Sequence, residues 1–194
     1  MLSNKNHAII VIEFQKTWSQ SSFFYRLIRQ QYESRNVYTN TKELLNFARQ
    51  NKVDIIQSPF ILDKSNKEQY KKIPLPPKLF RQFTANTWRA EYTDGIFDPS
   101  DIEVKGRTAF DNTVDSNLRD ILKERQIKTL YFAGFTTDHC VAETMTTLSS
   151  EGYKCVLISD CSAARTSKLQ TKIENKFSSI TSKKLIEKLK ESID

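Results

Sequence analysis

The run Ala8-Ile-Ile-Val-Ile12 places the tightest limit on what this chain can become. A strand of such residues has no polar face, so it must be covered on both sides, as in a parallel sheet held between helical layers. Val53–Gln57, Ile102–Lys105, Thr129–Ala133 and Tyr153–Ser159 read as further short strands, with Gly134 breaking the fourth. Helical spacing fills the intervals. It runs over Phe23–Tyr32, then over a helix opened by Thr41 as N-cap and carrying Leu44, Leu45, Phe47 and Ala48, and then over Val114–Gln126. A further helix starts from a Thr137 or Asp138 cap and runs to Glu151, where Gly152 stops it. Two more cover about Ser167–Lys176 and Ser182–Glu191. Strands alternating with helices predict an α/β fold: a three-layer α/β/α sandwich with a mostly parallel sheet, as one domain over residues 1–194.

One stretch departs from this rhythm. Pro59, Pro74, Pro76, Pro77 and Pro99, all the prolines of the chain, fall between Ser58 and Ser100. A loop of this length is commonly functional, and residues 58–100 are expected to cover a site, with one short helix near Pro77–Thr84. Hydrophobic residues make up 38% and charged residues 27%, which argues against both disorder and membrane spanning. The opening residues lack the pattern of a secretory leader, so a cytoplasmic location is expected. Three cysteines, Cys140, Cys155 and Cys161, form no C-x-x-C pair and imply neither a disulfide framework nor a structural zinc site. The formal net charge is +7, but the lysines of residues 168–190 are interleaved with Glu174 and Glu187. That pattern reads as solvated helix faces, and no nucleic-acid or membrane partner is expected.

In open parallel sheets ligands bind beyond the carboxyl ends of the strands. Glu13 follows the first strand, Lys105 closes the third, and Cys140 lies just past the fourth. A thiol, a carboxylate to take its proton and an ammonium to steady the anion are what nucleophilic catalysis requires. Cys140 also falls in the first turn of a helix, where unpaired N–H groups favour a thiolate and can hold an oxyanion. Most free cysteines are inert packing residues, so the residues alone leave both readings of Cys140 open.

Three segments together carry a resemblance: Ala8-Ile-Ile-Val-Ile-Glu-Phe-Gln15, then Lys105-Gly-Arg-Thr-Ala-Phe110 with Thr113, then Ala133-Gly-Phe-Thr-Thr-Asp-His-Cys-Val141. With Gly152-Tyr153, Ser159-Asp160, Ala163, Ala164 and Ile180-Thr181-Ser182, the chain resembles the isochorismatase-like cysteine hydrolases from about Ala8 to Leu189. The resemblance implies Cys140 as nucleophile, Lys105 as the catalytic lysine, and Glu13 where the family has an aspartate as general base. Glutamate is one methylene longer, which carries its carboxylate roughly 1.5 Å farther out. It further implies a cis peptide at Phe135–Thr136 and an oxyanion hole formed by the N–H groups of Thr136 and Cys140. Trp88, Glu91, Tyr92 and Phe110 fall where the family lines its pocket. Of these, Trp88 and Phe110 are expected to bind substrate together with Gln15, which matches a position beside the catalytic acid.

The departures from family patterns narrow the chemistry. Metal-dependent nicotinamidases hold their metal with histidines after the second strand, where this chain reads Gln57-Ser-Pro-Phe-Ile-Leu62. No metal and no other cofactor is therefore expected. True isochorismatases lack the cysteine, so Cys140 points to the amidohydrolase branch. The resemblance thus implies hydrolysis of a small amide or imide C–N bond through a thioester, by a homo-oligomer acting on a small-molecule substrate. The alternative is a catalytically silent relative that binds a small ligand or a protein partner.

Overall fold

The computed structural model describes residues 6–191; residues 1–5, on which the leader reading partly rests, lie outside the described residues. The strands are β1 (His7–Ile12), β2 (Asp54–Ser58), β3 (Ile102–Glu103), β4 (Thr129–Phe135), β5 (Lys154–Ala163) and β6 (Ser179–Ile180). They form a six-stranded sheet in the order β3-β2-β1-β4-β5-β6, and every adjacent pair is parallel. The helices are α1 (Lys16–Ser19), α2 (Phe23–Ser34), α3 (Val37–Gln50), α4 (Lys67–Lys72), α5 (Leu75–Leu79), α6 (Leu118–Glu124), α7 (Ala142–Ser150), α8 (Ser167–Lys176) and α9 (Ser182–Glu191).

The β1 run does what its composition demands. Ile9 and Val11 pack into one core with Leu44 and Leu45 of α3 and Leu185 of α9. Ala8, Ile10 and Ile12 pack into a second with Leu118 and Leu122 of α6 and Met145 and Leu148 of α7. Alternate residues of one strand therefore serve opposite faces of the sheet, and the two cores are the two seams of a three-layer α/β/α sandwich. Among the described residues, no helix is long and apolar enough to cross a membrane.

Several boundaries differ from the sequence reading. Helix α3 starts at Val37, and Thr41 lies buried inside it, its hydroxyl donating to the Val37 carbonyl at 2.7 Å. A threonine hydroxyl serves an i−4 carbonyl as readily as a cap, and here the carbonyl takes it. Helix α6 begins at Leu118 because residues 111–117 form turns, in which Asp111 accepts from the Thr113 N–H and hydroxyl. Between β2 and β3 the helices are α4 and α5, and Pro76 and Pro77 occupy the first turn of α5, where a missing N–H costs nothing.

Strand β4 does not break at Gly134 but runs through it to Phe135. Gly134 has φ +117, and a Cβ there would meet the Ile12 carbonyl oxygen at 1.9 Å. Only glycine lets β4 run this close to the end of β1. The following helix opens with a π-helical turn, Thr137–Val141, before α7 begins. Neither Thr137 nor Asp138 caps it. The Asp138 carboxylate is buried against Arg165 instead, 2.6 Å from Nη2.

Candidate active site

Chain order along the sheet reverses between β1 and β4: β2 and β3 lie to one side, β5 and β6 to the other. The crevice beyond the carboxyl ends at such a switch point is where open parallel sheets place their ligands. Glu13 leaves the end of β1 and Cys140 sits in the turn after β4, so both enter this crevice. They line one cavity of about 300 Å³.

Glu13 is 2% exposed and has φ 55, a left-handed conformation that turns its side chain out of the strand direction. Its N–H donates to the Ser58 carbonyl at 3.0 Å, which ties it to the end of β2. Both carboxylate oxygens are engaged. Oε1 lies 2.5 Å from Nη2 of Arg107, and Oε2 accepts from Trp18 Nε1 of α1 at 3.2 Å.

Arg107 is itself sealed at 2% exposure, and its guanidinium fork is spent on fixed acceptors. Nε donates to the Ala109 carbonyl at 2.8 Å and Nη2 to the Phe110 carbonyl at 2.9 Å. Its plane lies over the Phe60 ring, 4.7 Å from the centroid. A planar cation with rigidly spaced donors suits such a buried, stacked and multiply bonded position better than a lysine would.

Cys140 is 4% exposed. Burial pushes its thiol well above the usual range, and the Glu13 carboxylate pushes it further, while Arg107 pulls it back. Both charges act on the thiol, and with Glu13 and Arg107 in direct contact the acid, cation and sulfur form one cluster. The turn carrying the cysteine is tied to the segment that carries the arginine. The Cys140 carbonyl accepts from Thr144 Oγ1 at 2.7 Å, and that hydroxyl accepts from Asn112 Nδ2 at 2.8 Å. The peptide between Phe135 and Thr136 is cis, and Thr136 lines the cavity beside Cys140.

Of the residues expected at the site, Glu13, Cys140, Thr136 and Phe110 lie on the cavity wall, and three do not. The Lys105 side chain is exposed, and its backbone N–H is held by Asn117 Oδ1 at 2.7 Å. The physical reason is strand order: β3 lies two strand spacings, roughly 10 Å, from β1. Gly106, at φ +87, turns the chain back, and Arg107 rather than Lys105 reaches Glu13. Gln15 is fully buried beneath residues 60–90: Nε2 donates to the Phe60 and Ala90 carbonyls, and Oε1 accepts from the Phe60 N–H. Trp88 is 36% exposed and packs under the guanidinium of Arg89.

The sequence reading missed Arg107, Trp18 and the aromatic wall. Arg107 stood in the same motif as Lys105, and its only signal was being a second cation two residues on. Trp18 carries no signal beyond its nearness to Glu13 in sequence. Among the described residues, no group of three or more histidine, cysteine, aspartate or glutamate side chains is arranged to hold a metal ion.

A parallel α/β sheet with a thiol, a carboxylate and a guanidinium gathered at its switch point defines the class. The sequence model of the isochorismatase domain matches residues 7–183, and the chain belongs to that family. Solved structures agree in fold. A cysteine hydrolase from Pseudomonas syringae pv. phaseolicola 1448A superposes with a TM-score of 0.84 at 17% identity, over 96% of this chain and 93% of that one. An isochorismatase family protein from Desulfovibrio vulgaris subsp. vulgaris str. Hildenborough gives 0.81 at 17% identity, over 96% and 99%. N-carbamoylsarcosine amidase from Thermoplasma acidophilum gives 0.72 at 15% identity, over 91% and 96%.

Proposed function

We propose that this protein is a cysteine hydrolase of small amide C–N bonds, with Cys140 as nucleophile, Glu13 as general base and Arg107 as the buried cation. The observation that carries the reading is the shared cluster of these three side chains at the mouth of β1 and β4. Family membership and the fold shared with an amidase support it.

The steps follow from the residues. Glu13 takes the proton of the Cys140 thiol as the sulfur attacks the amide carbonyl carbon. The N–H groups of Thr136 and Cys140 hold the oxyanion. The C–N bond breaks, the leaving nitrogen takes the proton back from Glu13, and a thioester remains. Water then attacks that thioester as Glu13 takes its proton. The C–S bond breaks and the proton returns to sulfur, which frees the carboxylic acid. Arg107 holds the carboxylate in place throughout and offsets the negative charge that moves between sulfur and oxygen.

A second reading, a silent ligand-binding relative, draws on one observation: burial and Glu13 both hold the thiol protonated. Ammonia release from a panel of small carboxamides separates the two. The hydrolase reading expects turnover by the wild type and by Lys105→Ala, and loss in Cys140→Ala, Glu13→Gln and Arg107→Ala. A wild type inert on every amide, or a Cys140→Ala variant as active as wild type, refutes it.

A further inference from the structure

The apolar wall facing Cys140 draws on two separated parts of the chain. Phe24 belongs to α2, whereas Phe60, Pro77 and Phe83 come from the segment between β2 and β3. Trp18, Phe24 and Phe83 pack against one another at centroid distances of 4.8, 5.8 and 6.2 Å. At the mouth, Phe23 and Phe80 stack at 4.8 Å and 16°, and they remain 48% and 42% exposed.

Among the described lining residues the charged side chains are paired, and those of Arg165 and His139 are about half exposed. Glu13 is held by Arg107 and Trp18, and Arg165 by Asp138. His139 is engaged by Glu143 at 2.6 Å, with its ring against Phe110. A charged group seated between Phe24, Phe60 and Phe83 would lose its water with no countercharge among those rings. An apolar group would keep its contacts and shed its water. The volume of about 300 Å³ corresponds to about ten waters, which fits a ligand of modest size.

The geometry points to uncharged carboxamides of apolar acids, with a branched alkyl or aryl group seated between Phe24, Phe60 and Phe83, as the substrate class of this site. The inference rests on the hydrolase reading for its chemistry, with the carbonyl at Cys140 and Thr136 and the apolar group against the aromatic wall.

A matched pair of probes tests it. 4-Methylpentanamide and succinamate share a chain shape and differ by an isopropyl group in place of a carboxylate. Binding of each is measured by calorimetry on Cys140→Ala, and ammonia release on the wild type. The expected result is binding of 4-methylpentanamide on the order of 100-fold tighter than succinamate. Phe80→Lys, which places a cation at the exposed mouth, narrows that gap. Equal or tighter binding of succinamate, or no binding of either amide, overturns the inference. Selective binding without ammonia release supports the apolar selectivity while sinking the hydrolase reading. Release from succinamate alone does the reverse.

Discussion

Nη2 of Arg107 lies 2.5 Å from Oε1 of Glu13, with both side chains closed off from solvent, Nε and Nη2 donating to the Ala109 and Phe110 carbonyls, and the guanidinium over the Phe60 ring. Removing one member of such a pair leaves a bare charge in a low-dielectric site. The expected cost of Arg107→Ala is about 3–5 kcal/mol of stability. Lys105→Ala, at an exposed side chain two residues earlier, is expected to change stability by no more than about 0.5 kcal/mol. Urea denaturation of the two variants reads the contrast directly, and equal effects would contradict the placement of Arg107.

The Cys140 thiol offers a signed test. Burial and Glu13 raise it, and Arg107 lowers it. Glu13→Gln removes a negative neighbour, so the pH at which the thiol becomes alkylatable by iodoacetamide is expected to fall. Arg107→Met removes a positive neighbour, so that pH is expected to rise. The wild type lies between them and above an ordinary thiol near pH ~8.5. Shifts in the opposite order would show that the two charges do not act on the sulfur.

Alkaline stability follows from the same burial. Cys140 and Cys161 are both pushed well above the ordinary thiol value, and Cys155 is also raised. Below about pH 8.5 the folded and unfolded chains both keep these protons, and stability is at its full value. Above it the unfolded chain releases them first, so stability falls until the raised folded values are reached. The urea midpoint is expected to drop between about pH 7 and about pH 9.5. Cys161→Ala should flatten part of that drop, and a midpoint independent of pH would contradict the sealed thiols.

Gln15 acts as a latch. Its amide joins the end of β1 to the backbone of Phe60 and Ala90, through bonds of 2.8, 2.9 and 3.1 Å. Gln15→Leu leaves the buried Phe60 N–H and two carbonyls without partners, at about 1–3 kcal/mol for each group left unpaired. Amide hydrogen exchange over residues 60–90 is expected to accelerate more than exchange over β4 and β5. Uniform or unchanged exchange would show that this segment is held by its aromatic packing alone.

The layered fold was legible because β1 has no polar face and the helical intervals between strands are strongly periodic. The meeting of Glu13 and Cys140 in one crevice was legible because each stands just beyond a strand that composition marks clearly. The cation was not. Lys105 and Arg107 share one short motif, and which of them turns inward depends on β3 lying at the sheet edge and on the left-handed turn at Gly106, neither of which a strand pattern reveals. The aromatic wall was equally hidden, because Phe24 and Phe83 are brought together only by the closing of a long irregular segment. Trp88, from the same segment, ends at the surface, and nothing in its sequence surroundings separates it from Phe83.

The central claim is that Cys140 attacks the amide carbon with Glu13 and Arg107 beside it. Its most direct test is steady-state ammonia release from 4-methylpentanamide by the wild type and Cys140→Ala, with peptide mapping of acid-quenched wild type for an acyl group. Turnover by the wild type is expected, with a loss of at least about 1,000-fold in the variant and any acyl mass on the peptide containing Cys140. Hydrolysis that survives in Cys140→Ala, or an acyl group carried on another residue, would contradict it.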